Sequence, residues 1–141
     1  MADPKELRLL AADVADLAIV SAALQDAVVK ISDIAFDAGA RSLTLALNRF
    51  RWEADQPERV RAALQFGGVL SVQTRKIRRD RRDAVLSLLS MTFEAGDAPG
   101  GVINLTFAGG GDLRIQVECL DAIMADISAP WPTPREPRHE L

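Results

Sequence analysis

Leu43, Leu45 and Leu47 alternate with Ser42, Thr44 and Ala46, which is the period-two pattern of a strand with one buried face. The phase then slips. Phe50 and Trp52 are the next large apolar residues and fall on the opposite parity, with Arg49 and Arg51 between them. A strand that changes its inward parity needs a bulge or bend, here near Asn48. The preceding segment, 28–37, behaves in the same way: Val29 and Ile31 share one parity, Ile34 and Phe36 the other, with the slip near Ser32 and Asp33. Residues 37–40 (D-A-G-A) read as a turn. Together these segments predict a curved, bulged hairpin.

The remaining pattern extends the same theme. Residues 7–11 read as a short opening strand, and Asp13 as a helix N-cap with Asp16 three residues on. Leu17, Val20, Leu24 and Ala27 or Val28 recur at three or four residues, predicting a helix over 14–27. After a turn at 55–58, Val60, Ala62, Leu64 and Phe66 alternate with Arg59, Arg61, Ala63 and Gln65. Leu70 and Val72 keep that parity across Gly67-Gly68, a pair that marks a bulge, a corner or a close backbone approach. Residues 75–83 (R-K-I-R-R-D-R-R-D) form a charged loop. The stretch 84–94 reads as a strand with apolar residues on both parities, although Asp83 could equally cap one helical turn.

Ile103, Leu105 and Phe107 make the next strand, and Gly109 to Gly111 with Asp112 form a hairpin turn into Leu113, Ile115 and Val117. Leu120, Ile123, Met124 and Ile127 show helical spacing, predicting a C-terminal helix over 119–128. Residues 129–141 hold four of the seven prolines and read as a flexible tail. The sum is a β-rich α+β domain over 1–128: a curved antiparallel meander or partly open barrel with a helix near each end, pleckstrin-homology-like by analogy.

The segments L-Q-D-A-V-V-K (24–30), L-N-R-F-R-W-E (47–53), F-G-G-V-L-S-V (66–72), A-V-L-S-L-L (84–89) and V-E-C (117–119) resemble the alphaproteobacterial family DUF2948. The resemblance covers most of 7–128, and N-R-F-R-W-E is its most distinctive element. It implies a bacterial, cytosolic, single-domain protein. The family's function is unknown, so the resemblance carries no catalytic residue, cofactor or ligand.

Composition narrows the function classes. At 141 residues the chain is one domain by size. A net charge of −3 argues against a wholly basic nucleic-acid protein but not against a local basic patch. A single cysteine, Cys119, leaves no internal disulfide and suits a reducing cytoplasm. The N-terminal residues lack a secretory pattern, and no apolar run approaches the ~18 residues of a membrane span.

Candidate chemistry is sparse. A Cys–His dyad would need Cys119 and His139, one at a strand end and one in the tail, and the rest of the chain has no histidine. Metal-ligand spacing is absent, so no metal or cofactor is expected. Gly109 to Gly111 precede a strand rather than a helix, which is the wrong context for a phosphate loop.

Two features remain. Arg75, Lys76, Arg78, Arg79, Arg81 and Arg82, offset by Asp80 and Asp83, give 75–83 a local charge of +4, able to grip phosphates or an acidic partner. The plainer alternative is a solvated loop whose aspartates pair with its arginines. Arg49, Phe50, Arg51 and Trp52 interleave cations with aromatics, as single-strand nucleic-acid surfaces do. The structural reading buries Phe50 and Trp52 and sends the arginines to solvent or to Glu53 and Asp55. The sequence points to a non-enzymatic binding or assembly module that self-associates as a homodimer. The alternative is weak binding of single-stranded nucleic acid, nucleotide or acidic protein through 75–82, without tight duplex DNA binding and without a membrane role.

Overall fold

The computed structural model describes residues 6–134. In chain order they form β1 (Arg8–Ala11), α1 (Val14–Ala23), β2 (Val28–Asp37), β3 (Ser42–Phe50), β4 (Glu58–Phe66), β5 (Val69–Arg75), β6 (Val85–Ala95), β7 (Gly101–Phe107), β8 (Asp112–Val117), β9 (Ala122–Asp126) and β10 (Trp131–Pro132). Every pairing is antiparallel. The sheet order is β1-β9-β4-β3-β2-β6-β7-β8-β5, with β10 beside β4, and the sheet is open.

The chain forces that sheet to curl. β4 and β5 are joined only by Gly67 and Gly68, yet they stand six places apart in the order. Six flat strand spacings would be roughly 29 Å, whereas the three residues from Phe66 to Val69 reach at most ~11 Å. The β5 end must therefore fold back over the first half. β6 is the pivot: Val85 to Ser87 pair with β2, and from Leu88 onward the strand pairs with β7. Leu43, Leu45, Leu47, Leu64 and Phe66 from one half are buried in a common core with Ile103, Leu105, Phe107, Leu113 and Ile115 from the other. The corner at the two glycines also breaks the expected parity, since Val69 is buried and Leu70 exposed.

Helix α1 begins as the sequence predicts, with Asp13 Oδ1 accepting the Asp16 N–H at 2.8 Å. It buries Leu17 and Val20 and packs against β1 and β6. It stops at Ala23, short of the predicted 27, because residues 26 and 27 are drawn onto β6. The Asp26 N–H donates to the Leu88 carbonyl, and the Leu88 N–H donates to the Ala27 carbonyl, both at 2.8 Å. Among the described residues no helix is long and apolar enough to cross a membrane.

Three expectations are corrected. The predicted helix over 119–128 is the strand β9, inserted between β1 and β4 and hydrogen-bonded on both sides. Leu120, Ile123, Met124 and Ile127 fit a helical period, but a short apolar run fits a buried strand equally well, and two waiting strand edges decide it. The pleckstrin-homology-like outline depended on that helix and does not match. Nor does β3 break near Asn48: its register with β4 runs uninterrupted from Leu43↔Phe66 to Phe50↔Arg59. The slip near Ser32 and Asp33 is present, since β2 advances from Val29 to Ile34 while β3 moves only from Leu47 to Leu45. The Pro-rich stretch starts with Trp131 and Pro132 paired to Arg59 and Glu58; residues 135–141, including His139, lie outside the described residues.

Candidate functional site

The inward row Leu43, Leu45, Leu47 continues on β3 to Arg49, which is 0% exposed. All five guanidinium N–H groups are used. Nε and Nη2 donate to Asp126 Oδ1 and Oδ2 on β9, each at 2.8 Å. Nη1 and Nη2 donate to Glu53 at 3.0 and 2.7 Å, and Nη1 also reaches the Phe50 carbonyl at 3.4 Å. Burial by itself would lower the guanidinium's pKa, but the hydrogen bonds and charges of Asp126 and Glu53 outweigh it and hold it above the ordinary value. The same contact from Arg49 holds the Glu53 carboxyl below its ordinary value, against the opposing effect of burial.

Arg51, almost as deeply buried, donates to Glu58 at 2.9 Å. Arg59 sits over the Phe50 ring at 6.0 Å; burial lowers its pKa, with the charge of Asp26 opposing. Phe50 is buried and meets Trp52 edge-on at a centroid distance of 4.7 Å. Trp52, expected in the core, is 37% exposed and donates its indole N–H to the Gln25 carbonyl at 3.3 Å. This cluster clamps β3, β4 and β9 together. Every Arg49 donor is engaged inside it.

The basic loop presents the opposite arrangement. Its backbone is pinned to the irregular part of β2, where the Ile31 and Ser32 N–H groups donate to the Ala84 and Arg82 carbonyls at 3.0 and 2.9 Å. Internal bonds from the Arg79, Arg81 and Ala84 N–H groups at 2.9 to 3.1 Å tighten it further. The residues by which β2 departs from β3 are those that hold the loop. The glycine turn between β7 and β8 braces it from the other side. Gly109 and Gly110 supply positive φ values of 91° and 96°, and Gly111 lies so close that a Cβ there would meet Ile77 Cγ1 and the Lys76 carbonyl at 3.1 Å.

All six basic side chains of the loop are exposed. Arg75 pairs with Asp112 at 2.7 Å and Arg78 with Asp80 at 3.4 Å. Among the described residues, Lys76, Arg79, Arg81 and Arg82 have no ion-pair partner. Beneath the loop a cavity of about 110 Å³ is lined by Ile31, Ile34, Thr74, Ile77 and Leu113, with Arg79 and Arg82 as its only charged walls. A larger groove of about 310 Å³ crosses β5 to β8, but its charges are spent on one another, Arg75 with Asp112 and Arg114 with Glu94.

A protein-family model described as a protein of unknown function, DUF2948, matches residues 7–139. The chain belongs to this family. No curated protein and no solved structure matches it.

In this DUF2948 protein the two sequence-singled stretches lie on different parts of the sheet. The R-F-R-W segment joins β3 to the turn before β4, while the basic loop joins β5 to β6. The structure brings Arg79 and Arg82 to one cavity and leaves Arg75 in the other groove. Sequence reading missed Arg49 and Asp126 as a buried pair because it sends Arg49 to solvent or to Glu53 and Asp55 and places residue 126 on a C-terminal helix. The available signal was Arg49 standing on the inward parity of Leu43, Leu45 and Leu47. It also missed the cavity, whose walls come from β2, β5, β8 and the loop; no local pattern joins those four.

Proposed function

We propose that this protein is a non-enzymatic binding module whose ligand is anionic and is met by the 75–82 loop. The supporting observation is that Lys76, Arg79, Arg81 and Arg82 are exposed without ion-pair partners among the described residues, on a loop braced by β2 and by the glycine turn. Cations held on a fixed backbone lose less freedom on binding than cations on a free chain. The rest of the chain opposes a long polyanion: subtracting the loop's +4 from the net −3 leaves −7. The ligand is therefore a short or locally docked anion, and duplex DNA does not bind tightly at physiological salt.

Fluorescence anisotropy with a short single-stranded RNA tests this. If about four phosphates are engaged, the log–log dependence of affinity on salt has a slope of about −3. Replacing Lys76, Arg79, Arg81 and Arg82 by Gln flattens the slope without changing the fold. Absence of binding at ~50 mM salt, or an unchanged slope in the variant, rejects the reading. A second reading, self-association as a homodimer, draws on the open sheet end at β1 and on Leu10, Val14 and Ile19, which are 68%, 59% and 58% exposed.

A further inference from the structure

We infer that the cavity under the basic loop is a binding site for a short aliphatic carboxylate, the tail entering between Ile31, Ile34, Ile77 and Leu113 and the carboxylate meeting Arg79 and Arg82. This deepens the anion-binding reading and rests on it. The cavity's chemistry is divided: four of its seven lining residues are Ile or Leu, Thr74 is the one neutral polar residue, and the remaining two are arginines. An anion with no apolar part would leave those walls wet, and an uncharged hydrocarbon would leave two guanidiniums without a partner. A guanidinium presents its N–H groups in a planar fork that matches a carboxylate.

Size limits the tail. An apolar cavity of ~150 Å³ holds a six-carbon ring, so the roughly 110 Å³ here takes about four or five carbons. The walls belong to fixed elements: Leu113 is buried in the core, and Ile34 and Ile77 pack against it. Ile77 is itself held by the close approach of Gly111.

The test is an NMR chemical-shift titration of the whole protein with acetate, butanoate, pentanoate, pentan-1-ol and inorganic phosphate, beside the RNA titration above. Each added methylene contributes roughly fourfold in affinity, so pentanoate binds on the order of fiftyfold more tightly than acetate. The shifts centre on Ile31, Ile34, Ile77 and Leu113. Pentan-1-ol and phosphate each bind at least tenfold more weakly than pentanoate. Arg79→Gln with Arg82→Gln removes the preference for pentanoate over pentan-1-ol. Thr74→Leu, which fills the cavity and leaves the arginines in place, removes pentanoate binding but spares RNA binding.

If pentanoate binds no better than acetate while RNA binds with the expected salt slope, the carboxylate site is wrong and the anion-binding loop stands. If neither RNA nor any carboxylate binds, both fail. If pentan-1-ol matches pentanoate, the cavity is an apolar site without a role for the arginines, and the inference is overturned.

Discussion

Arg49 shows how a charged residue occupies a core position. Its side chain is 0% exposed and that of Asp126 is 1% exposed, so each depends on the other for the hydrogen bonds it left in water. Removing one partner of such a pair costs far more than the pair contributes, because the other charge stays buried and unpaired. Asp126→Ala is therefore expected to destabilise by about 3–5 kcal/mol, measured by urea unfolding. Combining it with Arg49→Met should recover part of that loss, since the orphaned charge is then gone. Strictly additive losses would show that the two side chains act independently. Trp52 is a lesser anchor than its size suggests, because at 37% exposure much of its surface remains in water.

Among the elements, the glycine turn between β7 and β8 has two separable roles. Gly109 turns the chain with a φ of 91° and has nothing near its missing side chain. Gly111 makes room for the basic loop: a Cβ at 3.1 Å from the Lys76 carbonyl oxygen must displace backbone, not only the flexible Ile77 side chain. Gly111→Ala should cost about 1–3 kcal/mol, the usual price of overpacking. It should also speed hydrogen exchange at the Ile31 and Ser32 amides, whose acceptors are loop carbonyls. Gly109→Ala strains the turn but should leave those two amides protected. Equal exchange in the two variants would mean that Gly111 does not brace the loop.

At the scale of the molecule, the curl decides which apolar residues stay exposed. The stretch 85–93 carries apolar side chains on both parities, more than one sheet face needs. Most are absorbed: Leu88 and Met91 are buried, and Leu86 and Phe93 pack on the core, leaving Leu89 at 37% and Val85 at 56% exposure. Among the described residues, the most exposed large apolar side chains, Leu10, Val14 and Ile19, belong instead to β1 and α1. If copies of the chain associate, the contact should involve this N-terminal region. Light scattering after size exclusion should then give a mass that rises with protein concentration, and Leu10→Lys should abolish the rise. A single monomeric mass at high concentration would remove self-association.

Where one face of a strand was buried and its register local, the sequence alone was enough. It placed the hairpin of β2 and β3, the slip near Ser32, the alternation of β4, the glycine turn and the cap at Asp13, because each follows from side-chain period or turn chemistry within a few residues. It also isolated the basic loop, which is a run of adjacent charges. The tertiary structure alone decided what depends on distant partners. Residues 122–126 became a strand because β1 and β4 offered hydrogen bonds on both sides. Arg49 could be buried because Asp126, 77 positions away, met it there. The loop acquired a cavity because the curl carried β5 and β8 beneath it. A chain's periodicity records which faces want burial, but the partner that buries each face is chosen only when strands far apart in sequence meet.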